Sequence, residues 1–348
     1  MVRRTLIARI PELSMSTVDQ LPSRLDVVGL GNAIVDVVAD ATDGQLAELD
    51  LVKGAMTLIE ADRSEFLYQH MGQAIEQSGG SCANTMAALA ALGAKAGYVG
   101  RVKQDQLGAI FAHDIRATGV TFLNAPASDG PATARSLIFV TPDAQRTMQT
   151  FLGACVMLDE NDVDEALVAR AKVTYLEGYL WDRDGAKAAC LKAAKIAKSH
   201  GGELALTLSD SFCVGRWRSE FRQLVSQQVD ILFANESEIT SLYETDDFEV
   251  AKRAVRKDVA LAVLTRGPEG SIVVSGDDEY PVAPVPPARV LDTTGAGDLY
   301  AAGFLYGYTQ GYKLGDAGKL GSACASAVIE QYGARVQRPL RALVDNPA

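Results

Sequence analysis

Apolar and β-branched runs recur along the chain at intervals that predict alternating strands and helices. Leu25–Gly31 reads as a buried strand entering a glycine turn, and Val173–Tyr179, Leu204–Leu208, Ile231–Ala234, Leu261–Thr265 and Ser271–Val274 read as further strands. Helical patterns over Ala186–Ser199 and Phe248–Lys257 fall between several of them. Strands alternating with helices of about 10–15 residues predict an α/β fold, a mainly parallel central sheet flanked by helices. Two stretches break the rhythm. Met56–Glu60 is a short strand-like piece, and Ala132–Val140, a Pro142-Asp143 turn and Arg146–Phe151 predict a β-hairpin with no intervening helix. Both read as parts of a small β-sheet lid beside the core. The expected division is a core of residues 25–36, 63–118 and 151–348, a lid of residues 37–62 and 119–150, and a flexible leader over residues 1–24. Pro281, Pro284, Pro286 and Pro287 mark an extended stretch rather than a linker.

Charge narrows the class of partner. The 348 residues carry 44 acidic and 33 basic side chains, a net charge of −11, with no cluster of Lys and Arg. A nucleic-acid partner is therefore not expected. Small anions stay open, because backbone N–H groups at a helix start bind them whatever the global sign. The most apolar run, Met86 to Gly100, is interrupted by Lys95 and falls short of the ~18 residues that span a bilayer, so no membrane partner is expected. Arg3, Arg4 and Arg9 are followed by no long apolar stretch, which argues against a secretory signal. Cys82, Cys155, Cys190, Cys213 and Cys324 are odd in number and form no CxxC pair, so reduced thiols and a cytoplasmic location are expected. His70, His113 and His200 stand in unrelated contexts, which removes zinc and Ser-His or Cys-His chemistry.

The densest chemistry lies in Asp292-Thr-Thr-Gly-Ala-Gly-Asp298, followed by an apolar helical run from Leu299. A glycine turn at a helix start points N–H groups outward, where the dipole also favours an anion. Asp298 in that first turn would accept a hydroxyl proton while the adjacent N–H groups stabilise transferring charge. This is the arrangement required for phosphoryl transfer from ATP to an alcohol. A second stretch, Ser78-Gly-Gly-Ser-Cys-Ala-Asn84, leads into Gly100-Arg-Val-Lys-Gln-Asp105 and Gly108. Paired glycines let a sugar press on the main chain, and Asn84 offers both a donor and an acceptor.

These two stretches, in this order, resemble the signatures of the ribokinase-like, or PfkB, family of carbohydrate and nucleoside kinases, and the resemblance runs from Leu25 to about Gln337. It implies that Asp298 is the catalytic base, that the N–H groups of Gly295, Ala296 and Gly297 form the anion hole, and that Asp292 lies near a monovalent-cation site, potassium being the candidate. Asn235-Glu-Ser-Glu238 is similar to the family's N-x-x-E motif, which implies that Asn235 and Glu238 organise magnesium and phosphates largely through water; alone the pattern reads as a helix cap. Thr265-Arg-Gly-Pro-Glu-Gly270 resembles the family's nucleotide loop, placing Thr265, Arg266, Gly267 and Gly270 at ATP, with Arg266 equally readable as an exposed loop arginine.

The acceptor is read from smaller features. Gly31-Asn-Ala-Ile-Val-Asp36 follows the first strand, and the resemblance is closer to adenosine kinases than to ribokinases, which commonly place Ser after that glycine and Lys where Ser81 stands. It implies that Asn32, Asp36, Gly79, Gly80 and Asn84 hold sugar hydroxyls and that Arg146 in the lid steadies the phosphoryl group. Tyr179 and Leu180, at the end of an aromatic strand, would flank a purine or pack the core. Ser209–Gly215 has no assigned role. The expected activity is ATP-dependent phosphorylation of a ribonucleoside 5′-hydroxyl, adenosine to AMP foremost. Inosine, guanosine, ribose or fructose as acceptor, and an idle ligand-sensing relative, are the alternatives. The partners are small molecules, and the assembly is a monomer or a lid-paired homodimer.

Overall fold

The large sheet takes its strands from both halves of the chain. A computed structural model describes residues 24–143 and 145–345, so the expected leader lies, Arg24 apart, outside the described residues. In chain order the strands are β1 (Leu25–Leu30), β2 (Ile34–Asp40), β3 (Met56–Leu58), β4 (Ala74–Gly79), β5 (Ala96–Val99), β6 (Thr121–Phe122) and β7 (Ala134–Val140). There follow β8 (Arg146–Phe151), β9 (Ala171–Glu177), β10 (Glu203–Thr207), β11 (Ile231–Asn235), β12 (Leu261–Thr265), β13 (Ser271–Ser275) and β14 (Asp278–Val282). Nine strands form one sheet in the order β14-β13-β12-β11-β10-β9-β1-β5-β6, parallel except for β13 and β14. Successive side chains of β1 explain its unbroken apolar run: Val27 packs on one face and Val28 on the other. Helices Ser81–Leu92, Ala296–Thr309 and Leu314–Ile329 cover the first face. Helices Asp184–Ser199, Ser211–Gln227, Glu236–Tyr243 and Phe248–Asp258 cover the second. The fold is the expected α/β type, ribokinase-like, with helices on both sides. Phe304 at the centre of the first layer is fully buried against Phe233, and its truncation to Ala would cost about 3–5 kcal/mol.

The smaller sheet has the order β3-β8-β7-β2-β4. Its hairpin is the expected one, with Val140 opposite Arg146 and Arg135 opposite Phe151. Its membership departs from the sequence reading in three places. β4 lies in this sheet, antiparallel to β2, although Ala-Ile-Glu-Gln-Ser-Gly has no apolar run, because an edge strand with a wet face needs none. All of β2 from Ile34 belongs to it as well, so the chain changes sheets over residues 31–33. Conversely β6, in the stretch read as lid, edges the large sheet, held by Phe122 against Tyr98 and Phe111. β14 was not expected, being polar and containing Pro281, which an edge strand tolerates. The crevice between the sheets opens where the chain crosses from one to the other.

Candidate active site

Two helix starts meet at this crevice. The Ala296–Thr309 helix begins at Gly295, whose φ of +78° is left-handed, and a Cβ there would lie 2.6 Å from that of Ala334. No side chain caps this start; the Ala296 N–H turns back to the Thr293 carbonyl at 3.2 Å, and the positive end of the dipole is left to the other first-turn N–H groups. The Ser81–Leu92 helix begins at Gly80, φ +95°, where a Cβ would strike the Asn32 carbonyl. Gly79 is equally constrained, because a Cβ would strike the Asp36 carboxylate. Asp298 lies between the two starts: Ser81 Oγ donates to its Oδ1 at 2.6 Å and Asn84 Nδ2 to its Oδ2 at 3.1 Å. Burial raises its pKa above the usual carboxylate value, and the two hydrogen bonds and the Arg335 charge moderate the rise. Asp36 is pushed up to about 6 by burial, against the pull of Arg146 and Arg335 and with the repulsion of Asp298.

Glu177, at the end of β9, ties these parts together. It is buried; its Oε1 accepts from Asn32 Nδ2 at 2.9 Å and its Oε2 from the Cys82 N–H at 3.0 Å. One carboxylate thus caps the Ser81 helix from another strand and holds the loop that leads to Asp36. Burial pushes its pKa up to about 7 despite those hydrogen bonds. Gly31 is what allows this approach, since a Cβ there would strike Glu177 and Cys82.

Arg146 reaches from β8 to Asp292, with Nη1 and Oδ2 2.5 Å apart and both side chains under a tenth exposed. Burial acts to raise the pKa of Asp292, but hydrogen bonds from Thr294 and the Gly333 N–H, with the Arg146 charge, bring it below the usual value. The position read as close to a monovalent cation therefore holds a guanidinium in this structure. Arg146 Nε is buried and finds no hydrogen-bond partner among the described residues.

A cavity of about 710 Å³ fills the crevice. Asn32, Asp36, Gly80, Asn84, Tyr179, Leu180 and Asp298 line it, so most residues read as acceptor contacts converge. Leu180 is almost fully buried and belongs to the core layer, whereas Tyr179 stays accessible, its hydroxyl donating to the Ser209 carbonyl at 3.4 Å. Tyr179 sits in a 3-10 turn, Gly178–Asp182, rather than in the strand expected there. The lining also has an apolar share, Met56 and Leu58 at 60% exposure and Met148 from the small sheet, and Phe212 at 80% exposure. Phe212 belongs to the stretch left without a role, where Asp210 caps the Ser211–Gln227 helix and Ser209 has φ +70° with a buried Oγ that has no partner among the described residues.

The other predicted group lies at the ends of β11 and β12, where Asn235 stands beside Thr265, and none of it lines this cavity. Asn235 and Glu238 form a reciprocal cap: Asn235 Oδ1 accepts from the Glu238 N–H and Glu238 Oε2 from the Asn235 N–H, both at 2.9 Å. Burial pushes the Glu238 pKa up to about 7. Arg266 forks onto Glu236, contacts Glu269 and covers the Phe248 ring at 4.4 Å, so its charge is already engaged. Gly267 and Gly270 turn with φ of +55° and +87°.

Sequence reasoning missed Ser81 as a contact of Asp298, Glu177 and Arg335. A lone acid at the end of the apolar run Val-Thr-Tyr-Leu-Glu was a usable signal for Glu177; Arg335 had none, standing outside every motif. The five cysteines are all buried and unpaired, and no helix of the described residues is long and apolar enough to cross a membrane.

Comparison with known proteins fits this arrangement. The profile of the pfkB family carbohydrate kinases matches residues 54–341. Adenosine kinase from Sinorhizobium meliloti is 52% identical, with 93% of this chain and 100% of that chain covered and a TM-score of 0.86. A probable sugar kinase from Rhizobium etli is 51% identical, with 93% and 98% covered and a TM-score of 0.85. The curated 5-dehydro-2-deoxygluconokinase of Geobacillus kaustophilus is 27% identical over 281 residues, 77% of this chain and 83% of that protein. With the profile matched over most of its length, the chain belongs to the PfkB family of carbohydrate kinases, phosphotransferases with an alcohol acceptor.

Proposed function

We propose that the protein transfers the γ-phosphoryl group of ATP to the 5′-hydroxyl of a ribonucleoside, adenosine foremost. The observation that carries this reading is the mixed lining of the cavity, which joins carboxylates and amides to the apolar Met56, Leu58, Met148 and Phe212. A sugar alone would leave those apolar side chains in water, whereas a flat base on the same ligand would cover them. The 52% identity to the Sinorhizobium meliloti adenosine kinase supports the same choice.

In this reading Asp36, Asn32, Asn84 and the Gly79-Gly80 main chain hold the ribose hydroxyls. Asp298 takes the proton of the 5′-hydroxyl as its oxygen bonds the γ-phosphorus and ADP departs. The N–H groups of Gly295, Ala296 and Gly297 face the transferring charge, Ala296 turning from the Thr293 carbonyl to do so, and a helix start without a side-chain cap fits that task. Arg146, with Nε unpartnered, is the lid cation for the same group. Thr265, Gly267 and Gly270 form the nucleotide turn, and Arg266 shapes it through Glu236. Family membership implies magnesium with the ATP. Asn235 and Glu238 would meet it through water, their direct contacts being to each other, and the metal would neutralise phosphate charge.

A sugar acceptor is the second reading, favoured by the name of the Geobacillus kaustophilus relative and by Arg183 in the cavity lining, which suits an anionic acceptor, Arg216 beside it being forked onto Asp182. ADP release measured with adenosine, inosine, guanosine, ribose, fructose and 5-dehydro-2-deoxygluconate separates the two. Adenosine is expected to give the highest kcat/KM; a higher value for 5-dehydro-2-deoxygluconate would replace the first reading by the second. No turnover with any of the six would favour the ligand-sensing relative.

A further inference from the structure

The turn that follows the Leu314–Ile329 helix brings a second arginine beneath the site. Arg335 spans from that turn to the end of β4, where its Nε and Nη2 donate to the Ser78 carbonyl at 3.2 and 2.8 Å. Nη2 also reaches Ser78 Oγ, at 3.0 Å. Ser78 is fully buried, and its N–H and Oγ donate in turn to Asp114 Oδ2 at 2.8 and 2.5 Å. Asp114 belongs to the core helix Gln106–Ala117. Three separate pieces of chain therefore meet at Ser78, one residue before the Gly79-Gly80 turn. That turn is where the chain leaves the small sheet for the helix that carries Ser81 and Asn84.

The remaining nitrogen, Arg335 Nη1, is buried and finds no hydrogen-bond partner among the described residues. No carboxylate forms a direct ion pair with this guanidinium among those residues. Burying a cation without such a pair is unfavourable unless nearby anions compensate it. Here the anions are Asp114, Asp36 and Asp298, each of which opposes the loss of its charge. The effect is mutual, since Arg335 favours the ionised forms of both Asp36 and Asp298. Two carboxylates sharing one buried pocket repel each other, and without a cation one of them would take up a proton.

We propose that Arg335 is a positioning residue of the phosphoryl-transfer site, which pins the Gly79-Gly80 turn to the core and supplies the buried charge that keeps Asp36 and Asp298 ionised side by side. The inference rests on the reading of Asp298 as the base. The charged groups facing Asp298 come from each neighbouring element: Asp36 from β2, Glu177 from β9 and Arg335 from the C-terminal turn. Arg146 from β8 faces Asp36, and Asp114 lies behind Ser78. Ser81, Asn84, Cys82 and Tyr175 complete the surroundings as neutral groups.

The test is the pH dependence of kcat/KM, with ATP and adenosine or the best acceptor of the panel above, for the wild-type protein, Arg335→Gln and Arg335→Lys. A base acts only when deprotonated, so activity falls as pH drops through its pKa, and loss of the cation moves that acidic limb upward. Arg335→Gln is expected to shift the limb by about one pH unit and to lower kcat/KM about tenfold on its acid side. Arg335→Lys keeps the charge but loses the fork, so its limb stays in place while the acceptor KM rises several-fold. Binding of ATP alone should be unchanged in both. An unshifted limb in folded Arg335→Gln overturns the proposal, as does a lower melting temperature with normal KM and limb, which a purely structural arginine would give. If the Gln variant does not fold, a Lys variant with wild-type KM overturns the positioning role on its own. Asp298→Asn is run alongside: turnover there would remove the base assignment, whereas inactivity there with unshifted Arg335 variants would remove this inference alone.

Discussion

The Asp298 end, in the crevice, and the Glu238 end, outside its cavity, are made from the same parts, a strand end, a tight turn and a helix start, yet their polar groups are in opposite states. At the Glu238 end the start is closed by its own sequence, Asn235 and Glu238 satisfying each other, and Arg266 is held by Glu236, Glu269 and Phe248. At the Asp298 end the start has no side-chain cap, three carboxylates crowd together, and Asn84 Oδ1, Arg146 Nε and Arg335 Nη1 are buried without partners among the described residues. Buried polar atoms are normally paired, and each left unpaired is unfavourable by about 1–3 kcal/mol. A region that keeps several is held in place by the surrounding fold and has hydrogen-bonding capacity to offer a ligand. The closed end is scaffold that shapes a turn; the open end is where chemistry is assigned.

The contrast is broken most severely at its centre. Asp298→Asn keeps the shape and the Asn84 contact, with the Ser81 hydroxyl turned to accept from the new amide, but removes the base, so kcat should fall roughly 10²–10⁴-fold with ATP affinity nearly unchanged. Turnover within about tenfold of wild type would place the base elsewhere. Asp36→Asn comes next: losing a charged acceptor for ribose hydroxyls should raise the acceptor KM about 10- to 100-fold, with a smaller change in kcat, in steady-state assays.

Both ends also hold carboxyls whose proton affinity is raised by burial, Asp36 to about 6 and Glu177 and Glu238 to about 7. An acid whose pKa is higher in the folded than in the unfolded state binds its proton more tightly when folded. That stability is fully present below the unfolded value and is lost as pH rises through the folded one. Melting temperature should therefore decline from pH 5 to pH 8. Glu238→Gln, which preserves an acceptor for the Asn235 N–H, should flatten the decline, recovering roughly 2 kcal/mol at the upper end. A melting temperature that rises over this range would show these groups ionised in the folded protein. The smallest effect is expected at the closed end, where Arg266→Ala should change kcat/KM for ATP less than about threefold because its ion pairs are surface contacts of the loop. A loss of about a hundredfold would place that guanidinium on the nucleotide and erase the contrast between the two ends.

Much of the fold was legible because its signals are local. Apolar runs covered on both faces, such as those of β1, β10 and β12, declare themselves in five or six residues. The edge strands β4 and β14 did not, because a strand with one wet face and one bonded neighbour needs little apolar character. The same division runs through the site. Gly80 and Gly295 could be read as turns because a left-handed φ is a local property of glycine, and Asn235-x-x-Glu238 as a cap because it is satisfied within three residues of itself. The aromatic end of the β9 run suggested a ligand wall or core packing at Tyr179 and Leu180; both line the cavity, from a 3-10 turn that leaves Tyr179 accessible and Leu180 largely buried.

The sequence alone therefore determined the kind of chemistry: an acid in the first turn of a glycine-led helix, a second glycine-led helix, and the alternation that builds the mainly parallel sheet both helices cover. Only the tertiary structure decided which charges share the pocket. Ser81 meets Asp298 across 217 residues, Cys82 meets Glu177 across 95, and Arg335 meets Ser78 across 257. A cap or turn is a property of neighbouring dihedral angles, which a short window of residues encodes. The proton affinity of a buried carboxylate depends on which distant ions the completed fold brings within a few ångströms, and no window contains them.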